Sequence, residues 1–182
     1  YPWSSQASQV AITAEAPQLA AAAPDGVLIV ENNGQVLTWI LSFLALSDVR
    51  SGQQQFLGVT GWETGGGLRA PELVGGWYPA LDSEAMAAFD ESFQERYGRA
   101  PRLQAAVAYD GVRAVAELLA QARRSGAGAP FTQQALTSQA GFSGATGRFR
   151  LRPDGRITRS MPIMEVGPAG PIMRAPAAPA GS

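Results

Sequence analysis

The clearest hydrophobic pattern lies between Ser83 and Arg124. Met86, Phe89, Phe93 and Tyr97 recur there at helical spacing, and Val107, Val112, Val115, Leu118 and Leu119 do so again. This predicts two amphipathic helices, the first capped by Ser83 and ended by Gly98. Val27 to Val30 is a short apolar run without alternation, which reads as a strand buried on both faces, as in parallel sheets. Gln35 to Leu46 supplies a helix, and Gln55 to Thr60 a second strand closed by Gly61, Trp62 and Glu63. Ser4 to Ala23 has helical spacing, with a break expected at Pro17. Thr64 to Leu68 reads as a loop, Leu73 to Tyr78 as a strand and Thr132 to Leu136 as a short helix. Phe149 and Leu151, then Ile163 and Val166, read as strands joined through the turn Pro153-Asp154-Gly155. Strands alternating with helices imply an α/β fold, a parallel sheet flanked by helices, with a β-rich C-terminal part. In such sheets ligands bind outside the carboxyl ends of the strands, here Glu31-Asn32 and Thr60 to Glu63.

Composition narrows the function. With 46% apolar and 16% charged residues the chain can bury a core, and its 182 residues suit one domain or large lobe. Residues 1–174 read as one lobe and 175–182 as a disordered Ala/Pro tail. Every basic residue is Arg, and the net charge is −1, which argues against a nucleic-acid or anionic-membrane surface. Cys and His are absent, so thiol chemistry, Ser–His catalysis and structural zinc are excluded within this chain. No cofactor, metal site or catalytic residue is expected. Carboxylate-only chemistry stays open for an enzyme of this fold class. No apolar run reaches the ~20 residues that span a bilayer.

Five stretches in order carry a resemblance: Phe56-Leu57-Gly58, Leu73 to Tyr78, Phe93 to Pro101, Ala108-Tyr109-Asp110-Gly111 and Gly141 to Gly155. Together they resemble type I periplasmic binding proteins of the branched-chain amino-acid class, C-terminal lobe. Gly75-Gly76-Trp77-Tyr78 and Phe149 to Gly155 look closest to the lipoprotein activators of penicillin-binding proteins. The resemblance implies a periplasmic, non-catalytic protein, either a protein-contact factor for a cell-wall synthase or the substrate-binding component of an ABC transporter for small polar solutes. A structural subunit of an envelope assembly is the third alternative. It also implies an N-terminal lobe of the same protein outside this sequence, a strand that Tyr1-Pro2 would continue, and membrane attachment only through an upstream lipid.

Amino-acid-binding relatives hold the ligand ammonium with an acid just after the Phe-Leu-Gly strand. Thr60 stands at that position, and Glu63 is the nearby substitute. Trp62 would stack on a ligand, or pack in its own lobe. Glu31 and Asn32 offer polar contacts, or cap the next helix. Tyr109 would reach the cleft, or sit in the core, and Asp110 serves a first-turn capping role. Trp77 and Tyr78 read as packed at the lobe edge, and Gly65-Gly66-Gly67 as a flexible loop.

Overall fold

The apolar run after Pro24 becomes the first strand of a mixed sheet. The computed structural model describes residues 6–64, 66–126 and 128–178, so Tyr1-Pro2 lies outside the described residues. The order opens with α1 (Gln6–Ala22), β1 (Gly26–Leu28), α2 (Gly34–Leu46), β2 (Gln55–Leu57) and α3 (Gly61–Thr64). Two 3-10 turns, Gly67–Arg69 and Pro71–Leu73, lead to β3 (Trp77–Pro79). Then come α4 (Ser83–Tyr97), α5 (Leu103–Ser125) and α6 (Gln133–Leu136). The chain closes with β4 (Phe142–Gly144), β5 (Gly147–Leu151), β6 (Ile157–Arg159), β7 (Ile163–Gly167) and β8 (Gly170–Ala175). One sheet has the order β1-β2-β3-β7-β8, its first three strands parallel and the last two antiparallel. The other is antiparallel, β4-β5-β6.

The chain divides into two compact units. One runs up to Ala80 and returns for Ile163–Pro176; the other is Leu81–Pro162 with the residues from Ala177. The departure at Leu81 and the return at Ile163 leave no mark on hydrophobic spacing.

The first unit is built on α2, whose Leu37, Ile40, Leu41 and Leu44 bury against Phe56, Trp62, Leu73, Tyr78 and Val166. Asn33 starts this helix, its side chain accepting from the N–H groups of Gln35 and Val36 at 3.0 and 3.2 Å. β1 departs from the expectation of burial on both faces. Ile29 is buried, but Leu28 and Val30 are 62% and 70% exposed. The register explains this: Leu28, Leu57, Trp77, Glu165 and Ile172 stand opposite one another across five strands, on a face left uncovered within this unit. α1 runs through Pro17 without a break. Its packing through Ile12, Ala16 and Leu19 outweighs the lost helical hydrogen bond. The strand expected over Leu73 to Tyr78 is a 3-10 turn followed by the shorter β3, because Gly75 takes φ 91°. The segment expected as a loop from Thr64 begins inside α3 and continues into the 3-10 turn at Gly67.

In the second unit α4 and α5 form where expected. The cap of α4 is Asp82 rather than Ser83, its carboxylate accepting from Ala85 N–H at 3.0 Å. Gly98, at φ 66°, ends that helix. α5 buries Ala106, Asp110, Ala114, Leu118 and Ala122 on one stripe, and Ala114 and Leu118 pack on Phe142 and Phe149. The turn Pro153 to Gly155 joins β5 to β6. Ile163 and Val166 instead belong to β7, which pairs with β3 and β8 in the five-stranded sheet. β8 extends to Ala175, one residue into the segment read as tail; 179–182 lie outside the described residues.

Candidate functional site

β1 and β2 pair in parallel, Gly26 to Leu28 beside Gln55 to Leu57, so their carboxyl ends open side by side about 4.8 Å apart. The loop after β1 brings Glu31, Asn32 and Asn33; the segment after β2 brings Thr60, Gly61, Trp62 and Glu63. The Glu31 carboxylate accepts the backbone N–H groups of Asn32 and Asn33, each at 2.7 Å, which locks the turn into α2. The Asn32 carboxamide lies against Gly61, where any Cβ would collide with it, so the two loops meet only because that residue is glycine. Glu31, Asn32, Thr60 and Glu63 are thus gathered at one end of the sheet. Glu63 lies on α3, where partial desolvation of its carboxyl holds it above the usual range.

Trp62 stands apart from this group. It is fully buried, its ring centroid 6.3 Å from that of Tyr78, and a Cβ at Gly58 would lie inside its indole. The stacking role read from the sequence is therefore not open to it. The residue turns into the core within the first turn of α3, where the missing Cβ of Gly58 leaves room for its indole. Its indole N–H and the Tyr78 hydroxyl have no hydrogen-bond partner among the described residues. Burial first, and the Glu63 charge second, push the Tyr78 phenol up to about 12.

Tyr109 belongs to the second unit. It is 42% exposed on α5, with its ring 5.1 Å from Phe89 and the Arg113 guanidinium 5.9 Å above it, so it is not a core tyrosine. Trp77 is exposed on the uncovered sheet face, and its indole N–H donates to Glu165 at 3.0 Å. The Arg174 Nε donates to the same carboxylate oxygen at 2.6 Å. These two hydrogen bonds, the Arg174 one foremost, hold the Glu165 carboxyl below the usual range.

An open strand-end site on a mostly parallel α/β sheet invites comparison with known binding folds. A family model described as periplasmic binding protein matches residues 5–171. The chain belongs to that family. No curated protein matches it in sequence. A leucine binding protein of Thermotoga maritima superposes with TM-score 0.56 at 19% identity, covering 92% of this chain and 49% of that one. A solute binding protein of R. palustris in complex with benzoate gives 0.56 at 18%, covering 92% and 47%. An extracellular ligand-binding receptor of Rhodopseudomonas palustris HaA2 gives 0.60 at 18%, covering 89% and 50%. The chain spans about half the length of these structures, and the likeness shows their fold.

In this periplasmic binding protein chain the sequence reading missed the role of Asp110. It is the eighth residue of α5, buried to 2%, and far from any first-turn cap. Its carboxylate accepts from Ala145 N–H at 2.5 Å, Thr146 N–H at 3.2 Å and the Thr146 hydroxyl, with Arg159 3.5 Å away. A buried carboxylate needs such partners. Its spacing gives the signal that was available: Ala106, Asp110, Ala114 and Leu118 share one helical stripe, so Asp110 faces inward.

Proposed function

We propose that this chain is part of a non-catalytic periplasmic protein that works by protein contact, its target a cell-wall synthase of the penicillin-binding class. The observation that supports this reading is how far the strand-end groups are satisfied by their own chain. Glu31 is engaged by two backbone N–H groups, Asn32 packs on Gly61, and Trp62 is sealed in the core. Thr60 and Glu63 remain, a sparse set for a polar solute whose desolvated groups all need partners. The likeness of Gly75 to Tyr78 and Phe149 to Gly155 to penicillin-binding-protein activators agrees with it. On this reading the protein is periplasmic, its companion is an N-terminal lobe of the same polypeptide, and any covalent membrane anchor is an upstream lipid.

A second reading, solute delivery to an ABC transporter, is favoured by Glu63. That carboxylate makes no hydrogen bond or ion pair among the described residues and suits a ligand ammonium. The deciding experiment is thermal unfolding of the full-length protein against amino acids and aromatic carboxylates. A solute at 100 times its Kd adds about 2.7 kcal/mol, a shift of several degrees. A shift abolished by Glu63→Gln or Thr60→Ala overturns the contact reading. No shift, together with capture of a cell-wall synthase by the full-length protein, supports it.

A further inference from the structure

Four of the 14 basic residues fall between Arg148 and Arg156, on the ribbon β5–β6. Strand alternation sorts them. Phe149 is buried toward α5, whereas Arg148, Arg150 and Arg152 alternate to the outer face, and Arg156 leaves the turn fully at the surface. Across the ribbon Arg150 stands opposite Thr158, and Arg148 stands opposite Ser143 on β4. Same-face positions along a strand are about 7 Å apart, so the guanidiniums form a ladder. Two rungs are oriented by their own chain: Arg148 donates to the Ala140 carbonyl at 3.2 Å, and Arg150 donates to the Gln139 side chain. Arg152 has one acidic neighbour, Asp154 at 3.4 Å in the turn. At the far end the Ser160 hydroxyl is taken up by the Ala178 carbonyl.

We propose that this outer face of the β5–β6 ribbon docks on an anionic phospholipid bilayer. The face presents guanidiniums and hydroxyls, while the ribbon's exposed apolar residue, Ile157, pairs with Leu151 on the opposite face. That is the chemistry of a phosphate-bearing plane rather than of a protein partner, whose interface needs aromatic or aliphatic anchors at its centre. A net charge of −1 for the whole chain does not oppose it, because screening limits the field a lipid feels to about 10 Å, within which the ribbon is positive.

The test is flotation of the full-length protein, without any lipid anchor, with vesicles of phosphatidylcholine alone or with about one-third phosphatidylglycerol. Binding only to the phosphatidylglycerol vesicles is expected, falling about fivefold per arginine replaced in the Arg148→Gln, Arg150→Gln, Arg152→Gln, Arg156→Gln series. Because Arg148 and Arg150 also hold local structure, the pair Arg152→Gln with Arg156→Gln is read separately, with circular dichroism as the fold control. Equal binding to both vesicles, no binding to either, or binding unchanged in that pair overturns the proposal. So does full competition by inorganic phosphate, or a preference for soluble poly-glutamate over vesicles.

Discussion

At Trp62 a residue that reads either as a ligand platform or as packing within its own lobe is the largest fully buried side chain among the described residues. Its place depends on Gly58, whose missing Cβ is the space the indole occupies. Gly58→Ala should therefore lower stability by about 1–3 kcal/mol through overpacking, and Trp62→Ala by about 3–5 through the cavity left behind. Chemical denaturation would read both, and unchanged midpoints would remove Trp62 from the core. At Glu165 the sign of the pH effect is set by the lowered carboxyl. A depressed acid stabilises the fold above its ordinary value of 4.5 and loses that contribution as pH falls through the folded value. Trp77 emission should accordingly change on acidification below the ordinary carboxyl value of 4.5, and Glu165→Gln should remove that step. A step that survives in Glu165→Gln would place its origin elsewhere.

At the scale of elements, α5 and the β4–β5 hairpin are joined by one carboxylate. Asp110→Ala would leave the Ala145 and Thr146 N–H groups and a partly buried Arg159 without their acceptor. The expected loss is about 3 kcal/mol or more, with Asp110→Asn retaining part of it. Amide exchange at Ala145 and Thr146 should accelerate ahead of the β7–β8 amides; uniform acceleration would argue against a local tie. The helices themselves were legible because α4 and α5 keep a 3.6-residue stripe over many turns. The ends of elements were less so. Asp82 and Ser83 are both good caps, and only the backbone turn decides which oxygen reaches Ala85 N–H. Pro17 misled because burial of the α1 face, which sequence does not weigh, outvotes one hydrogen bond.

For the molecule as a whole, the uncovered row Leu28, Leu57, Trp77 and Ile172 gives a direct expectation. This chain should bind an apolar fluorescent dye, and Leu57→Asp should reduce that binding severalfold with little change in melting temperature, since Leu57 is already 38% exposed. Dye binding unaffected by Leu57→Asp would place the exposed apolar surface elsewhere.

The sequence by itself determined the α/β class, the long helices, the strand-end location of Glu31, Asn32, Thr60 and Glu63, and the absence of His, Cys and Lys chemistry. These follow from local periodicity, turn residues and composition, which a chain carries without folding. Only the tertiary structure decided that Trp62 faces inward, that Asp110 ties helix to hairpin, that the chain divides at Leu81 and Ile163, and that four arginines share one face of a ribbon. Each of these depends on pairing between residues distant in sequence, through strand register or buried acceptors. That information resides in the contacts and not in any single segment.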